Sequence, residues 1–373
     1  MSDDALPEPD RRDGVPHPRD TVALFGQDAA QAAFLTAFNS GRLHSGWLIA
    51  GPQGVGKATL AYRIAAFLLS GPDAGGLSGA PQTLDLPDGQ PDLRLIRAGA
   101  HPRLFVLRRS INPDARPPPR LRQQIVVDDA RALRRFFGLS AADGGRRVVI
   151  VDAADELNVS AANAILKLLE EPPALATLLL VAHQPSRLLP TIRSRCRSLQ
   201  LHPLAAPDMA RALDAAGVAV DAPDRVAALA GGSVGHAVRL IRGDGLAIYA
   251  QLVDLFSGLP RINRTTAIRL SDGAAGRDGD NRFALLTDLI GLFLMRAAHA
   301  GLWGPPPVQA APGEAALLAR LSPHDAAARD WAGLEQRLGA RIRAGRAVNL
   351  DPAALILDTL LAIEQTAKSV AAA

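Results

Sequence analysis

Seven consecutive residues, Gly51, Pro52, Gln53, Gly54, Val55, Gly56 and Lys57, have the types and spacing of a phosphate-binding loop. In a loop reading G-x-x-x-x-G-K-[ST], backbone N–H groups cradle phosphates. The lysine pairs with the terminal phosphates, and the hydroxyl holds Mg²⁺. Here the hydroxyl position is Ala58. Thr59 follows one place later, about 100° further round a helix of about 3.6 residues per turn, and is expected to point elsewhere. The chain thus carries a nucleotide loop that lacks a metal ligand. ATP or ADP is the ligand such a loop takes, and the residues leave open whether it still binds or the loop is vestigial.

Two further places have chemical potential. Val148-Val-Ile-Val-Asp152 is an apolar strand ending in an acid. That arrangement brings a carboxylate to the nucleotide's Mg²⁺, directly or through water. In hydrolytic P-loop ATPases the next residue is usually Glu, which orients the attacking water; here it is Ala153. Asp155 and Glu156 lie too far along to replace it without a different backbone path. The third place is Thr191-Ile-Arg-Ser-Arg-Cys196, about a dozen residues beyond the apolar run Thr177–Val181. By itself Arg195 is one surface arginine among many.

These residues need elements to hold them. Trp47–Ala50 reads as a short buried strand feeding the glycine loop, and a helix follows from about Lys57 to Leu69. Leu104–Leu107, Gln124–Val127, Val148–Val151 and Thr177–Val181 also read as strands. Continuous apolar strands alternating with helical patterns predict an α/β fold with a parallel sheet covered on both faces. Asp128 or Asp129 is placed to cap a helix carrying Leu133, Phe136 and Phe137. A second helix runs from Asn158 or Ser160, as cap, to Pro172 and Pro173, which stop it. It puts Glu170 and Glu171 at a negative helix end, where they are either solvated or neutralised by a basic partner. The stretch 70–92 and the proline-rich Asn112–Pro119 read as loops. After about residue 204 the pattern is helical, interrupted by Gly and Pro.

Composition sets the outer bounds. A chain of 373 residues, 48% apolar and 21% charged, is globular material for two or three domains. Its first twenty residues are acidic and proline-rich and read as a disordered tail, not a signal peptide. No uninterrupted run of 18 apolar residues predicts a membrane helix. One cysteine, Cys196, excludes an internal disulfide and a four-cysteine zinc site and predicts a cytoplasmic address. It reads as a small buried hydrophobe. His101 reads as a turn-packing residue and His183 as a core or rim histidine. A net charge of +4 permits contact with nucleic acid without demanding it. Of 41 basic residues only Lys57, Lys167 and Lys368 are lysine, a bias better attributed to codon usage than to DNA binding.

The block from Arg146 to Leu201 resembles the clamp-loader AAA+ family through two motifs. One is the N-A-x-L-K-x-L-E-E-P-P helix, Asn163 to Pro173; the other is Ser194-Arg-Cys196. Ser40 to Lys57 fits as well, and the resemblance covers roughly residues 22–245. It implies a P-loop AAA+ parallel-sheet module at 22–204, a small helical lid at 205–245 and an all-helical collar or oligomerisation domain at 250–373, after the tail at 1–21.

The departures from the family pattern are specific. Its sensor-1 Thr pair is Ala182-His183, and its sensor-2 G-S-x-R is Gly232-Ser-Val-Gly235. With Ala58 and Ala153, four catalytic positions are lost while Arg195 is kept. The resemblance therefore implies a ring member that is not catalytic alone. Such a member supplies Arg195 as an arginine finger, in trans, to a neighbouring nucleotide. The implied partners are a gamma/tau-type ATPase subunit, a delta subunit, and the sliding clamp and primed DNA through the assembled loader, with no membrane. Family members often carry a four-Cys zinc module in the stretch matching 70–100; with no Cys there, no zinc is expected. The alternatives are an active gamma/tau-type clamp-loader ATPase rescued by Thr59, a P-loop nucleoside monophosphate kinase, and a scaffold with a decayed Arg195.

Overall fold

A computed structural model of the chain describes residues 8–11, 15–21, 23–71, 79–87, 89–114, 119–138, 144–275 and 279–372. Its contacts divide it into two units, Met1–Val218 with Gly232–Gly235, and Ala219–Gly231 with His236–Ala373.

Five parallel strands organise the described part of the first unit: β1 (Gly46–Ala50), β2 (Leu104–Arg108), β3 (Arg147–Asp152), β4 (Ala176–Ala182) and β5 (Arg197–Gln200). Their order is β2-β3-β4-β1-β5. Trp47, Ile49, Val149, Ile150, Leu178 and Leu179 are fully buried. Both faces of β1, β3 and β4 are covered, which is why these three read as continuous apolar runs. Ala50 lies opposite Ala182, and Asp152 opposite Val181. The carboxyl ends of β1, β4 and β3 therefore line up, at the sheet edge where α/β folds place ligands. The expected α/β class holds.

The helices of this unit are α1 (Asp28–Asn39), α2 (Lys57–Leu69), α3 (Pro91–Arg97), α4 (Val127–Gly138), α5 (Val159–Glu170), α6 (Pro190–Arg193) and α7 (Ala206–Ala215). Asn158 caps α5, its side chain accepting from Ala161 N at 2.8 Å. Such a cap contributes about 1 kcal/mol. Ala161, Ile165 and Leu169 form the buried face, with Leu168 half-buried. Cys196 packs against this core, and burial pushes its thiol up to about 12, the state of an inert side chain.

Several expectations are corrected. Gln124–Val127 is not a strand: Ile125 makes a single bridge to Leu157, and α4 begins at Val127. The cause is the Asp129 carboxylate, which accepts from Val126 N at 3.0 Å and opens the helix there. The end of the stretch expected as loop at 70–92 enters α3, with Pro91 preset at its first turn. Residues 72–78 and 88 of that stretch, and 115–118 of the Pro-rich loop, lie outside the described residues. The tail expected to be disordered over 1–21 is described at 8–11 and 15–21, where it is folded; 1–7 and 12–14 lie outside the described residues. Its acidic side chains find partners: Glu8 and Asp10 pair with Arg108 at the end of β2, and Asp10 also meets His17 at 3.2 Å. The stretch expected as a lid at 205–245 is divided. α7 goes with the first unit, where Arg211 lies over the Phe25 ring at 5.0 Å.

The second unit is helical: α8 (Pro223–Ala230), α9 (Val234–Arg242) from His236 onward, α10 (Gly245–Ser257), α11 (Arg264–Asp272), α12 (Gly279–Trp303), α13 (Glu314–Leu321), α14 (Asp325–Ala347) and α15 (Pro352–Ala372). Residues 281–303 of α12 are long and apolar enough by composition to cross a membrane. In the fold α12 packs on α14, and Leu289, Phe293 and Ala297 are fully buried, as in a core helix. Glu314, with no exposed surface, forms a polar hub in this unit. Its carboxylate accepts from Tyr249 Oη, Arg296 Nε and Ala310 N, each at 2.6 Å.

Candidate nucleotide site and exposed arginine

The residues after β1 wrap into a tight loop because glycine occupies its constrained positions. Gly54 (φ 81°) and Gly56 (φ 98°) lie in the left-handed region. A Cβ on Gly51 would stand 2.5 Å from the Leu201 carbonyl oxygen. Gln27, a position the sequence reading passed over, ties this loop to the chain after β5. Its amide donates to Val55 O at 3.3 Å and to His202 O at 2.7 Å. The loop opens onto a cavity of about 500 Å³, within the size range of nucleotide sites. Gln53 to Thr59 line it, whereas Gly51 and Pro52 are not among its described lining residues. Ala58 is there without a hydroxyl. Thr59, expected to point away, lines the cavity too.

Lys57 is buried and turned back on its own loop. Its ammonium donates to Gly51 O at 2.8 Å and to Pro52 O. Burial brings its pKa down to about 8, against the opposing charges of Asp152 and Asp155. Asp152, at the end of β3, lines the same cavity. Burial pushes its carboxyl up to about 7, and the charge of Asp10 adds to that while Lys57 opposes it. The raised value has a stability consequence. Asp152 binds more protons folded than unfolded between about pH 4 and 7, so its contribution declines as pH rises through that window. Asp152→Asn is expected to flatten that decline, read from urea midpoints at pH 4.5 and 7.5; an unchanged slope would refute the assignment.

The residues after Asp152 have other employment. Asp155 accepts from His183 N at 2.9 Å and Gln184 N at 3.1 Å, fixing the turn after β4. Glu156 pairs with Arg109 at 2.8 Å. Glu156, so paired, lines the cavity together with Asp152 and Ala153. Val234 N donates to Gly54 O at 3.0 Å, so the segment Gly232–Gly235 lies on the glycine loop, and Gly235 lines the cavity without a side chain. His183 lines it as well. His101 lies away from this site: its ring holds a turn, 3.0 Å from Asp92 and accepting from Arg103 N at 3.1 Å.

Sequence reasoning missed the cavity's N-terminal wall. Pro9, Asp10, Val15 and Pro16 line it. The Asp10 side chain has no exposed surface. Burial alone would raise its carboxyl, but the bond to His17 and the charge of Arg108 prevail and hold it at about 2. Tyr62 donates to it at 3.4 Å. Arg108 lies 98 positions away and Tyr62 52, so no local signal announces them.

Arg195 is elsewhere. It is not among the described lining residues of the cavity, and its side chain is 39% exposed. It sits between α6 and β5. Its guanidinium donates to Thr191 O at 3.1 Å and pairs with Glu170 Oε1 at 3.1 Å. The structure thus joins the loop, Asp152 and Gly232–Gly235 around one cavity and leaves Arg195 outside it.

Residues 26–205 match the family model described as DNA polymerase III, delta subunit. A DNA polymerase III subunit delta' from Pseudomonas aeruginosa is 38% identical over 222 residues, 58% of this chain and 60% of that protein. The Escherichia coli subunit of the same name is 33% identical over 214 residues, 56% of this chain and 58% of that one. The chain thus spans about 60% of the length of these curated relatives. Among solved structures, a DNA polymerase III gamma subunit-related protein from Thermotoga maritima overlaps 90% of this chain and 99% of its own, at 15% identity and a TM-score of 0.35.

Proposed function

We propose, from the premise that residues 26–205 belong to the DNA polymerase III delta subunit family and most resemble delta-prime members, that this chain is the non-hydrolysing stator of a bacterial clamp loader. In this reading it joins a gamma/tau-type ATPase subunit and a delta subunit. Together they load the sliding clamp onto primed DNA in the cytoplasm. The chain makes no turnover of its own. Arg195 reaches across an interface to the γ-phosphate held by the adjoining ATPase subunit.

The observation that carries this reading is the division of the chemistry. The cavity keeps its glycine loop and Lys57, but Ala58, Ala153 and Gly235 stand at positions that hold metal, activate water and read phosphate. Arg195 lies outside it, exposed and charged. An exposed arginine outside its own cavity is placed to serve a neighbour's nucleotide instead. ATP or ADP would be held by the backbone of Gln53 to Gly56, with Lys57 released from Gly51 and Pro52; Ala58 withholds the hydroxyl that would join Asp152 on a metal, and Thr59 is the hydroxyl beside it that lines the cavity.

Thr59 at the cavity wall favours one rival, an active gamma/tau-type ATPase. The two readings part in a simple assay of ATP hydrolysis by the isolated chain with Mg²⁺. The stator is expected to be silent, and to remain so with primed DNA. Measurable turnover that disappears in Thr59→Ala would establish the rival.

A further inference from the structure

Glu170 and Arg195 are brought together by an intimate meeting of two segments. Glu170 is the last residue of α5, and Arg195 begins the approach to β5. Between them lies Gly46, at the start of β1. A Cβ there would stand 2.6 Å from Leu169 Cδ2, 3.2 Å from Cys196 Sγ and 3.3 Å from Arg195 O. A side chain at this position would crowd the place where the end of α5 closes on the Ser194–Cys196 segment. Cys196 packs into the core and fixes the backbone on one side, and fully buried Ile192 fixes it on the other.

The guanidinium is then held at two points. Nη1 donates to Thr191 O, and Nη2 pairs with Glu170 Oε1, each at 3.1 Å. Arginine has five N–H donors in a rigid fork, so two contacts leave others to face outward. The Glu170 carboxylate is itself 43% exposed, and an exposed pair of this kind adds little to folding. What it restricts is orientation. A long side chain with large rotamer freedom is narrowed to one direction before any phosphate arrives.

We infer that Glu170 is a positioning residue for Arg195, holding the guanidinium ready for the phosphate of a neighbouring nucleotide. This rests on the trans-finger reading given above. The neutralising partner that a carboxylate at a negative helix end calls for is, in this fold, the finger itself.

The test uses the full chain, reconstituted with its gamma/tau-type, delta and clamp partners and primed DNA. ATP hydrolysis is measured for wild type, Glu170→Gln, Glu170→Asp, Arg195→Ala and the Glu170→Gln/Arg195→Ala double variant. Glu170→Gln is expected to lower kcat about threefold to fivefold, the range of one exposed ion pair, with KM unchanged. Glu170→Asp should regain part of the loss. In the Arg195→Ala background Glu170→Gln should cost nothing further, because the residue acts through the arginine. If Arg195→Ala slows hydrolysis while Glu170→Gln does not, or if the two losses multiply, the positioning role is overturned and the finger stands. If Arg195→Ala itself is without effect, both fall together.

Discussion

Arg195→Ala is expected to slow hydrolysis at the one adjoining ATPase site by about 10³-fold or more, while the assembled complex elutes and sediments as before. A fall of that size is about 4 kcal/mol of barrier. On the proposed reading it is large because a trans finger acts where charge develops in the transition state, at a site closed to water. Folding should not suffer: the side chain is 39% exposed and its pair with Glu170 is equally open to solvent. Total turnover of a ring with several working sites falls less than the single-site rate, so the measurement is single-turnover hydrolysis under conditions that populate the adjoining site. Arg195→Lys keeps the charge but loses the fork, and should recover only a small part. A complex that fails to assemble with Arg195→Ala would mean that the residue is an interface contact. A normal rate would make it a bystander.

The second large effect is on stability. Glu314→Ala is expected to cost about 3–5 kcal/mol, the penalty for removing one member of a buried charged pair. The loss is not the carboxylate's own bonds alone. Arg296, whose side chain is only 12% exposed, would be left charged, with Val308 O as a remaining neutral acceptor at 3.0 Å. The Tyr249 hydroxyl and Ala310 N would lose their acceptor as well. The Tyr249 phenol is already pushed well above its usual range, by burial first and by the Glu314 charge second, so it has no ionised state to fall back on. Glu314 also stands at the first turn of α13, where the helix dipole favours an anion. Urea unfolding of the full chain should show the midpoint of the second unit's transition displaced. The contrasting control is Arg341→Ala, which removes an exposed pair with Asp358 and should shift stability by less than about 1 kcal/mol. Equal shifts for the two variants would refute the hub.

How far the chain could be read in advance follows from where each signal lives. β1, β3 and β4 were legible because burial on both faces leaves nothing but apolar residues to see. The Asn158 cap and the Pro172-Pro173 stop were legible because they are local backbone chemistry. β5 was not: Arg197-Ser-Leu-Gln200 has one buried residue, Leu199, and owes its strand to backbone bonds with β1. The N-terminal wall was misread because acidity and proline predict disorder only when the carboxylates go unpaired, and Arg108 lies 98 positions from Asp10. Of the site, the glycine loop and Asp152 were visible as motifs. The return of Gly232–Gly235 to Gly54, the engagement of Asp155 with the turn after β4, and the meeting of Glu170 with Arg195 are products of tertiary closure.

The bonds from Lys57 to Gly51 O and Pro52 O make the glycine loop a competitor for its own lysine. A phosphate that enters must find the ammonium already engaged, so its apparent affinity is the intrinsic affinity reduced by the fraction of molecules in which the lysine is free. The same bonds keep the loop folded without help from a ligand. Linkage then works in both directions: a nucleotide that must break these bonds binds more weakly, and by the same measure stabilises this unit less.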